Sequence, residues 1–160
     1  MAMTSDLKHI YLSDHSAMMT AEIELIHRCR DSNKSVDEFT QLVDELDTLS
    51  RHVQEEQDVV RVLLQEQGES PDVFKELSGW VVEKIGRLKL NGKLSEYSDL
   101  SRVLELEILL SSAQSRTCLW KTLHALRADD LRCQDFLART VEHVQQLNTL
   151  HQQASQKAFS

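Results

Sequence analysis

The chain has 160 residues, 41% of them apolar and 28% charged, with a formal net charge of −8. That length suits one domain around a single core, and that balance excludes both a disordered chain and a membrane-spanning one. One proline, Pro71, and four glycines, Gly68, Gly79, Gly86 and Gly92, are too few turn residues for a sheet protein. The expected fold class is all-α.

The breakers all fall between residues 68 and 92, which divides the chain into two helical halves and a connector. Helix 1 is predicted from about Ser5 to Arg30, where Leu7, Tyr11, Met18, Leu25 and Cys29 recur at helical spacing. Glu22 fills a gap in that stripe. Asp31–Lys34 is a short polar turn, and Ser35-Val36-Asp37-Glu38 has the form of a capping box opening helix 2. Helix 2 carries Phe39, Leu42, Leu46, Leu49, Val53, Val60 and Leu63 on one side, with Glu56 where an apolar residue is due.

Ser70-Pro71 predicts a short extra helix with Val73, Leu77, Val81, Ile85 and Leu88 on its apolar face. Helix 3 is predicted from near Ser98 to about Leu126 on Val103, Leu106, Leu110, Ala113, Trp120 and Leu123. Leu104, Ile108 and Cys118 broaden that face. After the turn Arg127-Ala128-Asp129, with Asp129 as the expected cap, helix 4 carries Cys133, Phe136, Leu137, Val141, Val144, Leu147 and Ala154. The chain thus reads as one domain, with a hairpin over 5–67, a crossover over 69–97 and a second hairpin over 98–158. Bundle turns usually take about 2–8 residues, so a crossover this long is expected to run the length of the bundle and leave helices 2 and 3 parallel.

Charge and cysteines bound the function. Residues 35–69 hold ten acids against Arg51 and Arg61, which accounts for the whole net charge. Such a chain is a poor partner for nucleic acid or an anionic membrane, and the short basic stretch Lys84, Arg87, Lys89 and Lys93 reads as a solvated face. Cys29, Cys118 and Cys133 form no C-x-x-C and lie in helical segments. Reduced thiols in a cytoplasmic compartment are expected. The first sixteen residues have no apolar run of signal-peptide length.

This layout resembles the ferritin-like four-helix bundle. The most distinctive text is Ile85-Gly86-Arg87-Leu88-Lys89-Leu90-Asn91-Gly92 followed by Tyr97-Ser98-Asp99-Leu100-Ser101-Arg102-Val103-Leu104-Glu105-Leu106-Glu107, which is similar to a branch of bacterial ferritin-like proteins with no assigned activity. The resemblance implies a dimetal centre of iron or manganese, held by one carboxylate from each of two helices and a Glu-x-x-His from each of the other two. Carried onto this chain it points to Glu22, to His52 and Glu56, to Glu105 or Glu107, and to His143, with His151 as a further imidazole. Leu49 stands where an acid would precede His52, and the literal Glu24-x-x-His27 lies in helix 1, where the family does not place it. The ligand set is therefore degenerate. The expected function is non-catalytic, through protein–protein contacts or a homodimer, with no cofactor; the alternative is a metal-binding protein or oxidoreductase with a non-standard ligand set.

Overall fold

The computed structural model describes residues 2–66, 97–127 and 129–160. Helix α1 spans Ala2–Asn33, a 3-10 turn spans Asp37–Phe39, and α2 spans Thr40–Gln65; α3 follows at Asp99–Leu126 and α4 at Leu131–Phe159. The described residues contain no strand. The expected extra helix, the basic stretch and residues 85–92 lie outside them.

Side-chain pairs between helices set the direction of each rod. Along α1, Tyr11, Glu22, Arg28 and Asn33 meet Thr122, Arg116, Glu105 and Arg102 of α3 in descending order, so these two helices are antiparallel. Between α2 and α4, His52 meets His143 and Glu55 meets Arg139, again antiparallel. His27 with Ser50 and Arg30 with Asp47 close the first hairpin in the same sense. Helices α2 and α3 must then run the same way. Consistent with this, the end of α2 lies beside the end of α3, where Glu66 pairs with Arg127 at 3.2 Å.

The core is the shared interior of the four rods. Leu12, Met19, Ile26, Leu46, Val53, Val60, Leu106, Leu109, Leu119 and Trp120 are wholly buried. Apolar burial of this kind, roughly 25 cal/mol per Å², is what holds a bundle together. At one end Asn33, fully buried, ties the hairpins to each other. Its Nδ2 donates to Cys29 O at 2.7 Å and to Tyr97 Oη at 3.0 Å, and its Oδ1 accepts from Arg102 Nε at 2.7 Å.

Several local expectations need correction. The buried line of α1 runs through Leu12, Met19, Ile26 and Asn33, so Leu7 and Met18 face outward. This helix packs on both α2 and α3 and buries Ser13, His15 and Ser16 as well, which blurs its apolar period. In α3, Leu104 and Cys118 are exposed rather than broadening the core, and Val141 of α4 is exposed too. Ser35 caps nothing, because the chain passes through Val36 and the 3-10 turn before α2 begins. Asp130, not Asp129, caps α4 by accepting from Arg132 N. The start of α3 is as expected, with Ser98 and Ser101 forming a reciprocal capping box.

Candidate functional site: a buried ion cluster at the centre of the bundle

Midway along the bundle each helix contributes a polar side chain to the interior. From α1 comes Glu22, from α2 Glu56, from α3 Arg116 and from α4 His143, all at most 3% exposed. Bare charges at such positions would be costly, so each needs a partner. Arg116 is that partner. Its Nε donates to Glu22 Oε2 at 2.9 Å and its Nη2 to Glu22 Oε1 at 3.0 Å, the parallel fork that suits guanidinium and carboxylate. Its Nη1 donates to both oxygens of Glu56, at 2.9 and 3.0 Å. Trp120, one turn along α3, adds an Nε1–H donor to Glu56 Oε2 at 2.7 Å. Every oxygen of the two carboxylates is satisfied.

A guanidinium has no acceptor. The contact of 3.3 Å between Arg116 Nη1 and His143 Nδ1 therefore makes Nδ1 the acceptor and places the His143 proton on Nε2. That proton points to His52 Nδ1 at 2.9 Å, and the His52 proton falls on its own Nε2. The imidazoles lie stacked, with centroids 5.2 Å apart. Burial and the neighbouring Arg116 push the His143 pKa down to about 3. Burial and Arg139 also lower that of His52. Both rings are neutral near pH 7.

Two carboxylates against one guanidinium leave an excess of negative charge. Arg139 offsets it from the rim, with Nη2 3.9 Å from Glu56 Oε1 and Nη1 2.7 Å from Glu55 Oε2. Five charges of alternating sign thus run from Glu22 through Arg116, Glu56 and Arg139 to Glu55 at the surface. Burial raises the Glu22 carboxyl above the usual range, opposed by the charge and hydrogen bonds of Arg116. Burial disfavours the charge on Arg116, yet Glu22 and Glu56 outweigh it and hold the guanidinium protonated. Gln57 secures the level next to this one, donating to Ser16 O at 2.9 Å and Thr20 Oγ1 at 2.6 Å.

Of the residues singled out in the sequence, Glu22, His52, Glu56 and His143 come together here. Glu105 and Glu107 do not. Glu105 lies toward the Asn33 end, accepting from Tyr97 Oη at 2.9 Å and standing 2.7 Å from Arg28 Nε. Burial raises its carboxyl against the pull of Tyr97 and Arg28, and burial with Glu105 nearby pushes the adjoining Cys29 thiol up to about 12. Glu107 is on the surface, 3.1 Å from His151. Glu24 is exposed, while His27 turns to Ser50 at 2.8 Å, so the literal Glu-x-x-His shares no site. Among the described residues no group of three or more His, Cys, Asp or Glu side chains is disposed to hold a metal ion.

Sequence reasoning missed Arg116. The signal was present: the α3 stripe jumps from Ala113 to Trp120, and the vacant turn between them holds an arginine. Two acids and one base filling core gaps in three helices are an ion cluster that lacks one positive charge, the one Arg139 brings from the rim.

Comparison with protein-family models, with curated proteins and with solved structures returned no match. The interior geometry therefore carries the functional reading. No helix among the described residues is long and apolar enough to cross a membrane.

Proposed function

We propose that this chain is a ferritin-like bundle whose internal carboxylates serve a fixed guanidinium instead of a metal pair, and that it acts non-catalytically through contacts of its surface with a protein partner or a second copy. The parallel run of α2 and α3 supports the ferritin-like reading, because that topology requires one long crossover. The observation that carries the non-catalytic reading is the position of Arg116. Its guanidinium occupies the space between Glu22 and Glu56 and takes hydrogen-bonding directions from both carboxylates. A divalent cation placed there would meet a permanent positive charge within a few ångströms, a repulsion that the low-dielectric interior strengthens.

The ligand stereochemistry fits a metal pair equally poorly. Oxygen-activating centres need coordination positions open to substrate, whereas Trp120 and Arg116 cover the Glu56 oxygens. His143 directs its lone pair at Arg116 rather than into a vacant position. In α4 the position one turn before His143 is Thr140, which donates to Leu137 O and offers no carboxylate.

The test is elemental analysis of purified protein, before and after incubation with ferrous iron and with manganese, alongside thermal unfolding. The expected result is no stoichiometric metal and an unchanged Tm. Stoichiometric iron or manganese with a raised Tm overturns the proposal, because a ligand of the native state must stabilise it.

A further inference from the structure

At the end of the bundle marked by Asn33, a cavity opens between the start of α2, the start of α3 and the end of α4. Its volume is about 200 Å³. Phe39, Leu42, Leu106, Leu150 and Ala154 form apolar wall, and Arg102, Gln41 and Gln153 add polar lining. Lys157 and Glu38, paired with each other, stand at the mouth.

Arg102 is the unusual member. It is only 5% exposed, and its guanidinium lies over the Phe39 ring, 3.7 Å from the centroid. Two of its three nitrogens are engaged, Nε with Asn33 Oδ1 at 2.7 Å and Nη1 with Asp99 Oδ1 at 2.5 Å. Nη2 has no protein acceptor among the described residues. A buried arginine with an idle donor edge in the wall of a cavity is a recognition element for an anion. The Lys157 ammonium, 4.6 Å from the same ring centroid, is the second cation lining the cavity.

We propose that this cavity binds a small organic monocarboxylate carrying an apolar body of about ring size. The carboxylate accepts from Arg102 Nη2 and from Lys157, and the apolar body lies against Leu42, Leu106, Leu150 and Ala154. Size sets the upper bound: an apolar cavity of about 150 Å³ admits benzene, so the volume here accommodates a ring or short chain plus its carboxylate. Charge selects a monoanion. Asp99 already takes one edge of Arg102, so a dianion such as inorganic phosphate meets too few donors and a nearby negative charge. Lys157 is released cheaply from Glu38, since an exposed ion pair of this type contributes about 0–1 kcal/mol. The site is independent of the central ion cluster and does not rest on the function proposed above.

The experiment uses the full chain with benzoate and hexanoate as probes, benzamide as the uncharged isostere of benzoate, and inorganic phosphate as the anion without an apolar body. Binding is followed by isothermal titration and by protein-observed NMR. Benzoate and hexanoate are expected to bind saturably and to shift resonances around Arg102 and Ala154. Benzamide and phosphate are expected to be weaker by about tenfold or more, the equivalent of one charge-assisted hydrogen bond. Ala154→Phe fills the cavity without touching either cation and abolishes binding. Lys157→Gln, at the surface and safe for folding, weakens benzoate several-fold and leaves benzamide unchanged. Absence of saturable binding overturns the proposal. So does benzamide binding as tightly as benzoate, or phosphate competing at equal concentration. A folded Ala154→Phe protein that still binds, or a Lys157→Gln protein with unaltered benzoate affinity, overturns it as well.

Discussion

Arg116 of α3 and Glu22 of α1 meet through two parallel hydrogen bonds of 2.9 and 3.0 Å at a depth where neither side chain is more than 2% exposed. The pair joins the two hairpins at mid-height, and through Nη1 the same guanidinium reaches Glu56 of α2. Removing one member strands the others. Arg116→Met is therefore expected to destabilise the fold by roughly 3–5 kcal/mol, the usual cost of leaving a buried charge uncompensated. Arg116→Lys should recover little of this, because an ammonium cannot reproduce the fork. The triple variant Glu22→Leu, Glu56→Leu, Arg116→Met should be more stable than Arg116→Met. Urea unfolding measures all three, and a single variant as stable as the parent would show that the cluster is not what joins the hairpins.

Acid should act first on the imidazoles. His143 is neutral in the folded chain, with its pKa pushed down to about 3 by burial and by Arg116, whereas in the unfolded chain it titrates near the ordinary imidazole value of about 6.5. Between those two values the unfolded state binds the extra proton. Its contribution to stability is thus complete above pH 6.5 and is lost as the pH falls toward 3, by at most about 1.4 kcal/mol per pH unit. His52 adds to this in the same direction. The raised Glu22 carboxyl has the opposite sign, favouring the fold as the pH drops from its folded pKa toward the unfolded value. Unfolding free energy measured from pH 7 to pH 4 should decline, and His143→Gln should flatten the decline. An equal slope in the variant would remove His143 from this role.

Trp120 offers a narrower probe of Glu56. Its indole donates to Oε2 at 2.7 Å and its ring packs 4.5 Å from Phe136. Trp120→Phe keeps an aromatic ring and deletes the donor, with an expected loss of about 1.5–3 kcal/mol for a hydrogen bond to a charged group plus some packing. Adding Glu56→Gln to Trp120→Phe should cost less than the two single losses combined. Strict additivity in denaturant titrations would mean the two groups are not coupled.

The three thiols should separate by accessibility. Cys118 is exposed, whereas Cys29 and Cys133 are buried and burial raises both thiols, Cys29 to about 12. The thiolate is the reactive species. A disulfide reagent at neutral pH is expected to titrate one equivalent rapidly and the other two only on unfolding. Cys118→Ser should abolish the rapid phase; two rapid equivalents in the parent would place a second thiol at the surface.

The rods were legible in the sequence because no proline or glycine interrupts them, and α3 starts at the expected place, where the structure shows Ser98 and Ser101 forming a capping box. Glu22 and Glu56 were legible as intruders because each stands at a position where the helical spacing calls for an apolar residue. Arg116 was not, since an arginine inside a helix ordinarily reads as solvent-facing, even where it fills a gap in the apolar stripe as it does here. Glu105 and Glu107 were indistinguishable in one dimension. In space one is held by Tyr97 and Arg28 in the interior and the other faces solvent. The slip along α1, where Met19 rather than Met18 is interior, follows from a helix that touches two neighbours and buries serine and histidine with its leucines.

The common direction of α2 and α3 limits how this gene product can be trimmed. Glu66 and Tyr97 belong to opposite poles of the molecule, separated by about the 42 Å that 28 residues of helix span. A fully stretched peptide covers at most about 3.6 Å per residue, so a replacement tether needs roughly a dozen residues to let both hairpins close on each other. With a shorter one, each hairpin would have to find its mate on another molecule, turning a bundle closed within one chain into an exchanged pair.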